Sequence, residues 1–416
     1  MKFYWILSTL LNSSCVAASN VIDLDKQHSE SLINWLETSG GYFHPALEMR
    51  RIDPENPSSH FGMFANHDIK NNTRLIQVPY KMTINADWNP DYEGPESPMT
   101  CETVWNLIAQ MKKGKESFHY PYVHYLQETQ PPGIIPSAWS HEGKRLLYKV
   151  LTGTYKYPGS LAQEEEDEIP KDFIELPPDE PFVWQNEWVD SCAGNDDPLE
   201  QYAALALINR GWDDIMIPLI DMQSHRNGKY TNTRHNALHE GNDPILYASR
   251  DIKAGEEINT SYNQCGYDCG GRADIYGTPE IMRDYGFVEQ MPQSWIFNEL
   301  DLGFHIDYVY EDDGETPVQN RSREESYQIV AWTNEEDADE HDMDLLQDHL
   351  DQVRETIDEI LIRDKHQDVP ENEYNIIVDY MESLELALEV AIFTIFNSLE
   401  DIEENTDTVA DSRDEL

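Results

Sequence analysis

Asp251-Ile252-Lys253-Ala254-Gly255-Glu256-Glu257-Ile258-Asn259-Thr260-Ser261-Tyr262 is a polar turn that runs into a strand. Lys253 to Glu257 carries the turn, centred on Gly255, and Ile258 to Tyr262 is the strand that leaves it. Just upstream, Ile245-Leu246-Tyr247-Ala248 has the composition of a strand. Phe61-Gly62-Met63-Phe64-Ala65, a polar turn at Asn71-Asn72 and Leu75-Ile76-Gln77-Val78-Pro79 repeat the same strand and turn punctuation. Between these groups, Ala203 to Ile208 and Ile215 to Met222 are apolar enough to be buried. Short strands broken by turns predict a β-rich domain.

Helical spacing flanks and interrupts that domain. Leu32, Ile33 and Leu36, followed by Gly40-Gly41, predict a short amphipathic helix with a glycine stop. Residues 99 to 127 place Val104, Leu107, Ile108 and Met111 on one face and predict a helix. The acidic run Glu164 to Glu168 marks an exposed insertion. After Phe297 the composition shifts: residues 301–416 hold 36 acidic and 6 basic residues. Within them the periodicity predicts helices over Leu345 to Ile362 and Tyr374 to Leu399.

The 416 residues, 39% of them apolar, suffice for one large core or two moderate ones. A net charge of −51 repels phosphate backbones and excludes a nucleic-acid partner. Anionic membrane surfaces are disfavoured for the same reason. Five cysteines are too few for a scaffold built on disulfides.

The two ends read as an address. Lys2, the apolar run Tyr4 to Leu11 and Val16-Ala17-Ala18 have the layout of a signal peptide over residues 1–18. That apolar run is far shorter than the roughly 20 residues a helix needs to span a bilayer, so no membrane span is expected. The last four residues, Arg413-Asp414-Glu415-Leu416, differ by one conservative change from the Lys-Asp-Glu-Leu retrieval signal. The expected location is the lumen of the endoplasmic reticulum. A plastid is the alternative and ranks last, because no Ser/Arg-rich, acid-poor stretch follows residue 20.

In such an oxidising compartment Cys265 and Cys269, with three residues between them in a glycine-rich loop, close a small disulfide or remain thiols. Cys101 and Cys192 are distant in sequence and show no pairing pattern, so no zinc site and no other metal site is expected. Glycosylation sequons occur at Asn71, Asn259 and Asn320, the last in a polar stretch that suits modification best.

In this order the segments resemble the SET-domain lysine methyltransferases, in the branch typified by the Rubisco large-subunit methyltransferases. Phe61 to Ile69 resembles the opening Gly-x-Gly-Leu-x-Ala-x-x-Asp-Ile strand and turn. Asn209-Arg210-Gly211-Trp212 is similar to the Ser-Arg-x-Phe step, and Pro218 to His225 to Pro-x-x-Asp-x-x-Asn-His. Asp251 to Tyr262 resembles the last SET strand with its catalytic tyrosine, and Tyr285-Gly286-Phe287-Val288 completes the series over roughly residues 31–297. The resemblance implies an α+β chain. A β-rich SET domain with a helical insertion (19–297, insertion about 85–200) is followed by an acidic helical C-terminal lobe (298–412) and the 413–416 tail.

The resemblance implies S-adenosylmethionine as cofactor and a protein lysine as methyl acceptor, with the enzyme a monomer. Methyl transfer is an in-line displacement that needs a neutral amine and a narrow channel that excludes water. Tyr262 is the residue expected to orient the amine and polarise the methyl group. Arg210, between the apolar Ile208 and Trp212, suits the cofactor carboxylate, or else a buried structural ion pair. Asp221, Met222, Gln223, Ser224 and His225 are expected to cradle the adenosine end. Gly62, Thr73, Arg74 and Leu75 are expected to offer further contacts, and Tyr285, Gly286 and Phe287 to wall the channel. The pattern is broken twice: His60 replaces the first glycine of the opening turn, and Ser224 the asparagine of the Asn-His pair. A weak or inactive SET scaffold that serves as an acidic luminal binding protein is therefore the alternative function.

Overall fold

The glycine-centred turn forms as the sequence predicts and is pinned by acidic side chains. Gly255 has φ +90°, and Glu256 Oε1 accepts from Lys253 N at 2.9 Å. Asp68 accepts from Ala254 N and from Lys253 Nζ, each at 3.0 Å. The computed structural model describes residues 26–53, 61–86, 99–129, 135–152, 188, 192–195, 197–212, 214–237, 241–263, 276–297, 302–310, 326–333, 338–362 and 366–411. The signal-like residues 1–18, His60, the acidic run Glu164 to Glu168, Cys265, Cys269, Asn320 and the 413–416 tail lie outside them. The chain divides into two units. One comprises residues 1–132, 184–225 and 229–260, and the other 133–183, 226–228 and 261–416.

The first unit carries most of the expected strands. Strands β1 (Tyr42–Phe43), β4 (Arg74–Gln77), β9 (Ile245–Ala248) and β8 (Thr233–His235) form an antiparallel sheet in the order β1-β4-β9-β8, with Ile76 opposite Leu246. Strand β2 (Leu47–Arg51) pairs antiparallel with β3 (Phe61–Ala65), Met49 opposite Met63. Two-residue strands β5 (Gly211–Trp212) and β6 (Ile215–Met216) pair with each other. Strand β7 (Ser224–His225) lies parallel to β10 (Asn259–Thr260), Ser224 opposite Asn259. The strand expected to reach Tyr262 thus ends its pairing at Thr260. Leu75, Ile76, Met63, Leu246 and Ile258 are fully buried, each full burial contributing about 1.5–3 kcal/mol.

The helix expected at Leu32 to Leu36 spans 26–38. The one expected over 99–127 is two. Met99–Lys113 stops at Gly114 with φ +53°, and a second helix, Tyr120–Thr129, begins after a short 3-10 turn. The left-handed glycine ends the first helix, and Ser117 Oγ, by accepting from His119 N at 3.0 Å, shapes the link to the second. Apolar periodicity continues across this break, which is why the sequence alone reads as one helix. Pro198–Arg210 is the buried segment at 203–208, opened by Asp197, whose carboxylate accepts from Leu199 N and Glu200 N. Such a cap contributes about 1 kcal/mol. The other buried segment, 215–222, is not one element: β6 is followed by a turn at Leu219 (φ +70°) and a 3-10 turn Ile220–Met222.

One cysteine expectation is corrected. Cys101, in the first turn of the Met99–Lys113 helix, is bonded to Cys192 across 91 residues of sequence. Sequence distance hid the pairing because the fold alone brings residue 192 to that helix. Trp105, one turn on, donates to the Cys192 carbonyl at 3.2 Å.

The second unit holds the C-terminal lobe. Glu340–Glu359 is capped by Asp339, which accepts from His341 N and Asp342 N while Asp342 answers to Asp339 N. It packs Leu346, Leu350 and Val353 in the same core as Ile377, Met381, Leu388 and Ile395 of the long helix Glu371–Asp411. Asp344, Asp348, Asp351, Glu355, Asp358 and Glu359 lie exposed on the shorter helix, so a chain segment of extreme charge still builds a core. The lobe also contains strands that helical periodicity does not register. Strands β11 (Gln293–Phe297), β12 (Leu302–Tyr310) and β13 (Ser326–Trp332) form an antiparallel meander, in which Leu302, Phe304 and Ile306 alternate inward. Among the described residues no helix is long and apolar enough to cross a membrane.

Candidate active site

Each unit brings together part of the expected site. In the first, Arg210 ends the Pro198–Arg210 helix, and its Nη1 donates to the backbone carbonyl of Asp221 at 3.2 Å. The same nitrogen stands 3.6 Å from Asp221 Oδ2, an ion-pair contact rather than a hydrogen bond. Asp221 Oδ2 accepts from Tyr122 Oη at 2.6 Å. The Asp221 side chain is 2% exposed and that of Arg210 16%. Burial pushes the Asp221 carboxyl above its ordinary range, opposed first by Arg210 and then by the Tyr122 hydrogen bond. Burial, followed by the Asp221 charge, holds the Tyr122 phenol well above its ordinary value, so it remains a proton donor.

The following residues line up on the parallel β7–β10 pair. Met222, Gln223 and His225 are buried. Gln223 Nε2 donates to the Ile220 carbonyl at 2.9 Å, and Thr233 Oγ1 lies 2.7 Å from Gln223 Oε1. Ser224 donates to Glu257 Oε1 at 2.5 Å. That oxygen is also where a Cβ on Gly62 would land, at 2.7 Å, so position 62 has no room for a methyl group unless Glu257 moves. The Glu257 backbone is fixed in turn, because its carbonyl accepts from Asn232 Nδ2 at 2.7 Å.

Thr73, Arg74 and Leu75 sit on the neighbouring sheet. The Thr73 carbonyl accepts from Ala248 N and the Leu75 carbonyl from His44 N. Leu75 is fully buried, whereas Arg74 is exposed, over the Tyr42 ring at 4.2 Å and donating to Gln77 at 2.7 Å.

In the second unit Tyr262 follows directly on Ser261. Its ring lies 4.5 Å from that of Tyr285 between centroids, and Tyr285 lies 6.4 Å from Phe287. Gly286 ends the Thr278–Tyr285 helix in the left-handed conformation (φ 74°), which reverses the chain between Tyr285 and Phe287. Ser261 Oγ stands 2.8 Å from both Asn227 Oδ1 and Asn263 Oδ1. Asn227 donates to Glu289 Oε2 at 2.8 Å, and Glu289 Oε1 accepts from Thr278 Oγ1 at 2.5 Å. Asn227, Glu289 and Thr278 are buried, so this network anchors the residue that precedes Tyr262.

Sequence reasoning missed Tyr122, Glu257, Asn227 and Glu289 as parts of these arrangements. Glu257 reads in sequence only as the end of the Lys253 to Glu257 turn. Tyr122, in a helix far from every motif, carried no sequence signal.

Residues 60–263 match the family model for the SET domain. A segment of 61 residues is 36% identical to the ribosomal lysine N-methyltransferase set11 of Schizosaccharomyces pombe (strain 972 / ATCC 24843). The match covers 15% of this chain and 15% of the length of that relative. Among solved structures, the SET domain of LSMT bound to lysine and AdoHcy aligns over 92% of this chain and 93% of its own, at 13% identity and a TM-score of 0.47. Rubisco LSMT bound to AdoMet aligns over 91% and 93%, at 14% identity and the same TM-score, 0.47. By the family-model match, the chain carries a SET domain over residues 60–263.

Proposed function

We propose that this chain is an S-adenosylmethionine-dependent protein-lysine N-methyltransferase of the SET class, acting as a monomer. The observation that carries the proposal is the SET-domain match over residues 60–263, whose last residues hold Tyr262. The local identity to a ribosomal lysine N-methyltransferase supports the same class. The net charge of −51 favours a protein over a nucleic acid as substrate.

The donor set suits the cofactor. Arg210 offers a guanidinium to a carboxylate, and Asp221 Oδ1, buried with no hydrogen-bond partner among the described residues, leaves an acceptor for a ligand N–H or O–H. In the first unit Arg210 would hold the carboxylate end, and Asp221 to His225 with Gly62 and Thr73 to Leu75 the remainder; for Tyr285 to Phe287 of the second unit, a wall is what the resemblance to the SET methyltransferases implies. When bound, S-adenosylmethionine supplies a methyl group on a positive sulfur. The Tyr262 hydroxyl would orient a neutral lysine amine, and the Tyr285 ring packed on Tyr262 limits its rotation. Titration calorimetry of S-adenosylmethionine against the chain, followed by radiolabel transfer to lysine-rich proteins, tests the proposal. Binding with transfer supports it.

The alternative, an acidic binding protein on a SET scaffold, is favoured by one observation. Arg210 and Ser224 both already have intramolecular partners, Asp221 and Glu257. No heat of binding at millimolar cofactor would sink the enzyme reading and favour that alternative. The endoplasmic-reticulum location is likewise proposed, supported by the Cys101–Cys192 disulfide, since such bonds persist in oxidising compartments. Sensitivity of the cellular protein to endoglycosidase H tests it.

A further inference from the structure

We infer that Tyr122 is a positioning residue of the cofactor site, its hydroxyl holding the buried Asp221 carboxylate in the orientation on which Arg210 rests. The inference builds on the proposed methyltransferase function and adds a residue from outside the family motifs. Tyr122 lies in the Tyr120–Thr129 helix, within the stretch inserted between strands β4 and β6. Its side chain is fully buried, and its hydroxyl reaches 99 residues along the sequence to Asp221 Oδ2 at 2.6 Å.

Geometry makes this contact decisive for Arg210. The guanidinium meets Asp221 twice, once at the backbone carbonyl (3.2 Å) and once at Oδ2 (3.6 Å). The second meeting requires Oδ2 to face Arg210, and Tyr122 is the donor that fixes Oδ2. A hydroxyl hydrogen bond to an ionised carboxylate also favours its charged form. Without it, the buried Asp221 would take up a proton at higher pH, and Arg210 would lose its counter-charge. Among the described residues, the titratable groups that face Asp221 are Arg210 and Tyr122, and Tyr202 is near enough to act on both of them. Both tyrosines are held neutral by burial, so Asp221 is the group in this cluster whose charge changes on the acid side.

The test uses the full chain and S-adenosylhomocysteine, a non-reacting probe, with affinity measured calorimetrically from pH 4.5 to 8.5 (about half-unit steps suffice to locate a one-unit shift). Tyr122→Phe removes one oxygen and keeps the ring. Its affinity should fall on the acid side at a pH about one unit higher than in the wild type, with the melting temperature above pH 7 little changed. Asp221→Asn, which cannot titrate, should show no acid limb at all, and this second variant carries the test where Tyr122→Phe is poorly folded. An unchanged profile in Tyr122→Phe overturns the inference. So does a uniform loss of affinity with an unmoved acid limb, which marks a purely structural role, and so does an acid limb that survives in Asp221→Asn. A wild type that binds no probe at any pH removes the cofactor proposal itself and this inference with it. Binding by the wild type with unaltered variants removes the inference alone.

Discussion

Ser224 donates its hydroxyl proton to Glu257 Oε1 across 2.5 Å, and that same oxygen would lie 2.7 Å from a methyl group placed on Gly62. The serine that departs from the family's Asn-His pair is thus fitted to a neighbouring carboxylate. A side chain one group shorter than asparagine leaves room for Glu257, and Gly62 leaves room from the other side.

Gly62→Ala and Ser224→Ala should therefore act on one carboxylate. Each is expected to cost about 0.5–1.5 kcal/mol. The double variant should cost less than the two together, by at least about 0.5 kcal/mol, because the bond can be lost only once. Urea unfolding of the four proteins of the cycle measures it, and strict additivity would refute a shared role for Glu257.

Tyr262→Phe should leave folding and cofactor affinity intact while slowing methyl transfer at least about tenfold, or about 1.4 kcal/mol in the barrier. The ring contact with Tyr285 survives the change, and only the hydroxyl is lost. Radiolabel transfer reads the rate and calorimetry the affinity. An undiminished rate would show that the hydroxyl takes no part.

Arg210→Ala should weaken cofactor binding by about 1.5–3 kcal/mol through loss of a charge-assisted hydrogen bond. It should also destabilise the fold, since Asp221 is left buried without its cation, at a cost of about 3–5 kcal/mol. The pH dependence has a definite sign. Burial already raises the Asp221 pKa above its ordinary 3.8, and removing Arg210 raises it further. The protonated form suits the buried site, so the variant should approach wild-type stability below pH 3.8. It should fall behind as pH rises through the elevated folded value. Thermal unfolding across the pH range tests this; a deficit independent of pH would contradict it.

Cys101→Ser with Cys192→Ser should lower stability by about 2–4 kcal/mol, since the bond closes a loop with 91 residues of separation. Peptide mapping under non-reducing conditions should recover the two cysteines linked. Free thiols at both positions in protein from its own compartment would count against the pairing.

Of the sequons at described positions, Asn71 should carry the glycan and Asn259 should not. Asn71 is exposed in the turn before β4, whereas Asn259 is buried and donates its backbone N–H to Asn232 Oδ1 at 2.8 Å. Treatment with a glycan-removing amidase should shift the mass of the wild type, and Asn71→Gln should abolish the part of that shift due to this site. A glycan at Asn259 would overturn the expected choice.

Much of the fold is legible in short-range patterns because strand and helix periodicity are local properties. The turn at Lys253 to Glu256 is legible because Gly255 and Glu256 are adjacent in the chain, although Asp68, distant in sequence, also pins it. The helices Glu340–Glu359 and Glu371–Asp411 follow from apolar spacing despite the acid excess, since one inward face suffices. The order of motifs from Phe61 to Tyr262 was enough to assign the SET class, and the family-model match over 60–263 agrees.

What those patterns could not supply is contact between distant segments. The meander of β12 and β13 escaped because its alternation is embedded in a stretch whose composition is dominated by acid. The Cys101–Cys192 bond and the Tyr122–Asp221 hydrogen bond join residues 91 and 99 positions apart. Neither spacing has any signature, because only the packed chain decides which side chains become neighbours. Residue types and their local order determined the class of fold and the candidate tyrosine, arginine and aspartate. The tertiary structure alone decided that Arg210 rests on Asp221, that Tyr122 holds that carboxylate, and that Ser224 and Gly62 share Glu257. Those pairings depend on burial and on distances of a few ångströms, which a one-dimensional pattern does not contain.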